Sequence, residues 1–180
     1  MGRTTAALFI AGLLGLGLVG CSTSTDAPTS ETPTSTESPA ADAPSAADAA
    51  DELCSRASDA DGADVCVLEN ATSSDDLSFS SYRIVKLIGG SYDGAVEITD
   101  AQQVTVTDAT FAADLTVDPR GGAVVKLSAI GGTLSVNGGE HATLVKNTVA
   151  GDLLCADGVQ ADGDGNTVAG EVTGTCSRVA

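Results

Sequence analysis

The chain has 180 residues, 21 glycines, no tryptophan and only 3% aromatics, with a formal net charge of −17. That acidity excludes nucleic acid and anionic membrane as electrostatic partners, because both would repel it. The 42% of hydrophobic residues are mostly small Ala, Val and Leu, which suits narrow stacked layers better than a thick globular core.

In chain order, Met1–Thr5 carries one positive charge, Arg3, and an apolar run follows from Ala6 to Val19. This is the layout of a secretory leader, and its apolar stretch is too short to span a bilayer comfortably. Leu18-Val19-Gly20-Cys21 resembles the lipobox of bacterial lipoproteins, in which a diacylglycerol joins the cysteine thiol and cleavage makes that cysteine the new N-terminus. The expectations are therefore a lipoprotein signal peptide over 1–20, lipidation at Cys21, and anchoring on the extracytoplasmic face of the cell membrane. Two or three acyl chains on one residue anchor firmly, whereas one binds marginally. Loss of residues 1–20 removes Arg3 and leaves seven basic residues against 25 acidic ones, a charge of −18.

From Ser22 to about Ala47 the chain is almost wholly Ser, Thr, Pro, Ala, Asp and Glu. Such a composition cannot bury enough apolar surface to offset its ordering entropy, so 21–47 reads as the lipidated cysteine plus a disordered tether. A coil of this length has an r.m.s. span of roughly 25–30 Å. The small, acidic, helical-looking stretch Ser45–Ala57 suggests part of an N-terminal cap, assigned to 48–70.

Beyond it a six-residue phrase returns every nineteen residues: SYDGAV from Ser91, TFAADL from Thr110, AIGGTL from Ala129, TVAGDL from Thr148 and TVAGEV from Thr167, with a weaker TSSDDL from Thr72. Fixed-period similarity means one small unit stacked on itself. In rows of nineteen, one column holds Tyr92, Phe111, Ile130, Val149 and Val168. Another holds Leu77, Val96, Leu115, Leu134, Leu153 and Val172. Two more run Phe79, Ile98, Val117, Val136, Cys155 and Leu68, Leu87, Val106, Val125, Leu144. Alternation such as Leu115-Thr116-Val117 has the period of two expected of strands with one buried face. Gly94, Gly132, Gly151 and Gly170 share a corner column broken by Ala113, and Asn147 and Asn166 share another; both residue types tolerate left-handed backbone. Nineteen residues allow three short strands and their corners. The fold expected over 71–180 is all-β, a single-stranded parallel β-helix of about five to six coils, roughly 25–30 Å tall. Leucine-rich repeats lack their L-x-x-L-x-L framework here, and a sandwich has no reason to keep such columns.

With Cys21 set aside, Cys54, Cys66, Cys155 and Cys176 remain, an even count that suggests two disulfides in an exported domain. Of three connectivities the solenoid selects Cys54–Cys66 and Cys155–Cys176, because its two ends lie too far apart to be bridged.

Chemistry is harder to find. His141, the only histidine, has no sequence partner for a triad or a zinc site. Asp162, Asp164 and Asn166 alternate like the opening of a calcium loop, but Thr167 and Thr173 stand where its glycine and bidentate glutamate belong. They are weak candidates, and a looser run follows Asp59, Asp61 and Asp64. The outward column Asp76, Asp114, Asp152 and Glu171 is interrupted by Ala95 and Thr133. It suggests either a solvated face or the acids of a carbohydrate-active lyase or hydrolase, with or without calcium. Thr116, Ser135 and Thr173 resemble an ice-binding ladder broken by Glu97 and Leu154.

The GNTVAGEV phrase, the lipobox and the Ser/Thr/Pro tether together resemble an uncharacterised family of exported lipoproteins from mycobacteria and related actinobacteria, over roughly residues 65–176 plus the anchor. The resemblance implies an envelope location and a β-helical repeat domain; it transfers no catalytic residues. The expectation is a non-enzymatic scaffold with no cofactor, held to the membrane by lipid, with an envelope protein or glycan as ligand; the carbohydrate-active enzyme is the alternative.

Overall fold

The computed structural model describes residues 44–57 and 64–180; the leader, Cys21 and the tether up to residue 43 lie outside them. The first described element is helix α1, Ala46–Ala57. Ser45 caps it: the Ser45 hydroxyl accepts from the Asp48 N–H at 3.2 Å, and the Asp48 carboxylate accepts from the Ser45 N–H at 3.3 Å. This reciprocal capping box starts the helix just inside the stretch read as tether. Ala49, Ala50 and Cys54 are buried on one face of α1, which packs on the first coil of the repeat.

That repeat winds through six coils of three strands each. The first coil is β1 (Val65–Glu69), β2 (Thr72–Ser73) and β3 (Leu77–Phe79). The second is β4 (Ile84–Ile88), β5 (Ser91–Tyr92) and β6 (Val96–Thr99). Then come β7 (Gln103–Thr107), β8 (Thr110–Phe111) and β9 (Leu115–Asp118), followed by β10 (Gly122–Lys126), β11 (Ala129–Ile130) and β12 (Leu134–Val136). The fifth coil is β13 (His141–Val145), β14 (Thr148–Val149) and β15 (Leu153–Cys155). The sixth is β16 (Gln160–Asp162), β17 (Thr167–Val168) and β18 (Val172–Gly174), and a 3₁₀ turn follows at Thr175–Arg178. The ladder thus begins at Val65, inside the stretch read as cap, because Cys66 and Leu68 already supply its two inward positions.

Equivalent strands of successive coils form three six-stranded sheets. Every pairing is parallel and joins residues nineteen apart, as in Leu115↔Leu134↔Leu153 and Val125↔Leu144. The chain is the single-stranded parallel β-solenoid that the period predicts. The four apolar columns point inward and form one continuous core. A fifth, Cys66, Val85, Val104, Ala123 and Ala142, joins them from the long-strand sheet. Tyr92 lies on Phe111 with ring centroids 5.1 Å apart and planes 16° apart, within the core.

The corners differ from the expectation in one respect. The left-handed column is Asn70, Gly89, Asp108, Leu127, Lys146 and Gly165, all with φ between 52° and 71°. Neither the glycines at 94, 132, 151 and 170 nor Asn147 and Asn166 are in that region; the glycines answer a crowding problem and the asparagines form a side-chain ladder, both described below.

Both disulfides pair as the solenoid requires. Cys54–Cys66 ties α1 to β1, and Cys155–Cys176 ties the 3₁₀ turn to β15, each with Cα atoms 5.2 Å apart. An open stack exposes strand edges and apolar interior at its ends, and each bridge holds a covering element against one end.

Candidate functional site

The acidic column is the first place to look for chemistry, and each aspartate in it is engaged by the backbone. Asp76 Oδ1 accepts from the Ala95 N–H at 2.8 Å, Asp114 Oδ1 from the Thr133 N–H at 2.7 Å, and Asp152 Oδ1 from the Glu171 N–H at 2.8 Å. Each donor lies nineteen residues on, at the corner of the next coil. Between short strands the ladder is interrupted, and the carboxylate supplies the missing acceptor. Each aspartate serves the coil above it, so the aspartates recur on alternate coils, and Ala95, Thr133 and Glu171 are the recipients.

The glycine column follows from close approach to the coil below, whose backbone at Asp75 and at Gly132 lies where a Cβ at Gly94 or Gly151 would sit. A Cβ at Gly132 would collide with the Asp114 carboxylate, and one at Gly170 with that of Asp152.

A second polar ladder runs inside a corner. Asn166 Oδ1 accepts from the Asn147 N–H at 3.0 Å, and Asn147 Oδ1 accepts from the Ser128 N–H at 3.1 Å. Their amide nitrogens donate to the carbonyls of Val125 and Leu144 at 2.8 Å. Asn166 Nδ2 also donates to the Val179 carbonyl at 2.6 Å, which helps fix the C-terminal turn. Buried Asn147 is thereby satisfied, as a buried amide must be. The ladder also decides how Asn166 is used. Its oxygen faces the corner below, while Asp162 and Asp164 are exposed. These three do not form a shared oxygen cage, and no cluster of His, Cys, Asp and Glu suited to a metal occurs among the described residues. Of the looser run, Asp59 and Asp61 lie outside the described residues. Asp64 accepts from Arg83 Nε at 2.6 Å, and the guanidinium holds its carboxyl below the usual range.

His141 is exposed on the outer face of β13, with Gln103, Gly122 and Thr143 around a shallow notch. It gathers no orienting carboxylate there. A cleft of about 200 Å³ separates α1 from the first coil, bordered by Glu52, Leu53, Arg56 and Asp75. Arg56 is ion-paired to Glu52, so the cleft holds no uncommitted cation.

Two groups were missed by sequence reasoning. The Tyr92 hydroxyl is fully buried without a hydrogen-bond partner, and burial pushes its phenol up to about 12. The outward column of the two-residue strands, Thr72, Ser91, Thr110, Ala129, Thr148 and Thr167, is exposed and carries a hydroxyl in every row but one. It is more regular than the Thr116 column, which lies in register with Glu97 and Leu154 as expected.

Among the described residues no helix is long and apolar enough to cross a membrane. Cys21, where lipid attachment is expected, lies outside them. Comparison with protein families, curated proteins and solved structures finds no match.

Proposed function

We propose that this chain is an exported lipoprotein, anchored through Cys21 to the extracytoplasmic face of the cell membrane, and that its β-solenoid is a non-enzymatic scaffold for binding an envelope component. The carrying observation is that Asp76, Asp114 and Asp152, the acids a sugar-cleaving enzyme would use, are spent on backbone N–H groups of the next coil. A general acid or nucleophile must be free to meet substrate, with a partner carboxylate facing it across a bond-sized gap. Here the three aspartates are separated by two coils each, about 10 Å, and Glu171, one coil from Asp152, is the residue whose N–H occupies Asp152 Oδ1. The lipobox, the tether composition and two disulfides support an exported, surface-held molecule.

Incubation of the protein with wall polysaccharides and polyuronates, with and without calcium, tests this reading through product analysis by mass spectrometry. No cleavage is expected. Turnover abolished by Asp152→Asn, a change that preserves a carbonyl acceptor for Glu171, would establish the enzyme instead. Metabolic labelling with a palmitate analogue tests the anchor: label should enter the wild type and be absent from Cys21→Ala.

A further inference from the structure

The corner leading from β3 into β4 carries a shallow notch of about 290 Å³, bordered by Tyr82, Arg83, Asp100, Gln102 and Arg120. Of the tyrosines and phenylalanines among the described residues, only Tyr82 reaches solvent; Phe79, Tyr92 and Phe111 are in the core. Its ring is held in place from two sides. The hydroxyl donates to Asp51 Oδ1 on α1 at 2.8 Å, and the ring packs on Phe79 with centroids 6.4 Å apart. The nineteen-residue repeat puts Tyr82, Ala101 and Arg120 one above another. Ala101, small and buried, opens the gap between the two large side chains, about 10 Å over two coils.

The polar groups at the notch are fixed as well. Arg83 donates through Nε to Asp64 Oδ2 at 2.6 Å, and Arg120 donates through Nε and Nη2 to Asp100 Oδ1 at 3.0 and 2.9 Å. Each arginine is therefore compensated by an aspartate, on a chain whose formal charge is −17. A guanidinium carries five N–H donors in one plane. Each pair thus orients a fork whose other donors, with the amide of Gln102, suit hydroxyl oxygens. Exposed ion pairs contribute little to stability. Stability alone does not account for two of the chain's five arginines meeting beside its one surface-reaching tyrosine.

We infer that this notch is the ligand site of the scaffold, and that it takes a neutral saccharide unit of an envelope glycan. The inference rests on the scaffold reading above and names its site and ligand class. A pyranose has an apolar face of C–H bonds and a rim of hydroxyls. Tyr82 offers a flat ring to the face, and the oriented forks offer planar donors to the rim. An aromatic wall with a few placed polar groups is the usual make-up of a small-ligand site. An acidic sugar would meet the repulsion of the whole molecule and find both arginines already neutralised. A protein partner covers about 800 Å² of each surface, far more than the notch presents.

The test titrates the lipidated full chain, in a detergent without a sugar head group, with neutral trisaccharides of glucose, mannose, galactose or N-acetylglucosamine. Binding is read from amide chemical shifts. Saturable shifts confined to 80–83, 100–102 and 119–121 are expected with at least one of them. The Kd should be about 1 mM or tighter and unchanged between about 20 and 200 mM salt. Tyr82→Leu should weaken binding about tenfold, and Arg120→Gln should weaken it a few-fold. Tyr82→Phe should bind as the wild type does, because the hydroxyl is committed to Asp51, and Glu97→Gln on another sheet should change nothing. Circular dichroism melts of the variants establish that the coils remain folded. Absence of saturable shifts with all four sugars overturns the inference, as do shifts centred elsewhere or binding indifferent to Tyr82→Leu. Tighter binding of a galacturonate trimer than of any neutral sugar overturns it too. Any of these failures without polysaccharide turnover leaves the scaffold reading standing, whereas turnover removes that reading itself.

Discussion

Asp114 Oδ1 accepts a 2.7 Å hydrogen bond from the backbone N–H of Thr133, nineteen residues on and one coil above. The bond gives Asp114 a structural use, and it makes a sharp prediction. Asp114→Ala leaves the Thr133 donor without its partner and should lower stability by about 1–2 kcal/mol in urea denaturation. Asp114→Asn keeps a carbonyl oxygen in place and should recover most of the loss. Equal stability of all three proteins would mean that the carboxylate is not holding the corner.

Tyr92 gives the opposite sign. Its hydroxyl is buried without a partner, so Tyr92→Phe should stabilise the protein by about 1 kcal/mol at neutral pH while keeping the stack on Phe111. The pH dependence follows from the phenol's value of about 12, above its ordinary 10.0. Only the neutral phenol is tolerated in the core, so its stabilising share is complete below about pH 10 and is lost as pH rises through 12. Part of the alkaline loss of stability should vanish in Tyr92→Phe. Tyr82, raised to about 12 first by burial and then by its hydrogen bond to Asp51, would supply the remainder.

Leu127 occupies the left-handed corner with φ of 56°, a conformation that costs a residue with a Cβ roughly 1–2 kcal/mol. Asn70 fills the equivalent position of the first coil, and asparagine visits this region readily. Leu127→Asn should therefore raise stability by about 0.5–1 kcal/mol, measured as a higher denaturation midpoint at unchanged slope. A lower midpoint would show that the leucine makes a contact worth more than its backbone strain.

The C-terminal bridge should act locally. Cys155 and Cys176 lie 21 residues apart, and closing a loop of that size is worth roughly 3 kcal/mol in the chain-entropy account. In Cys155→Ser with Cys176→Ser, hydrogen exchange should accelerate over β16–β18 and the 3₁₀ turn. The middle coils, buried on both sides by neighbours, should keep their protection. Uniform loss across all six coils would contradict the stepwise stacking of a solenoid.

Much of this was legible in the sequence, for one physical reason. Parallel stacking in register puts residues nineteen apart into contact, so packing columns become sequence columns, and the disulfide pairing follows from distance along the stack. The corners were less legible. Left-handed backbone is signalled by glycine or asparagine only where those residues are used, and Leu127 and Lys146 hold the same φ without announcing it. The glycine column was visible, but its cause was not, because close approach to backbone or carboxylate on the coil below leaves no mark distinct from backbone freedom. The acids were likewise visible as a column. Only the position of the donors separates a bonded corner from a reactive pair, and the donors are backbone N–H groups that no residue letter records.

The account depends on rows of nineteen residues standing directly above one another, and distance measurement between spin labels tests this most directly. Ser78 and Thr173 face outward on the same sheet in the first and last coils. Labels there should be separated by five strand spacings, about 24 Å, and labels at Ser78 and Thr116 by about 10 Å. A Ser78–Thr173 distance distribution that is broad, or centred far from that value, would contradict it.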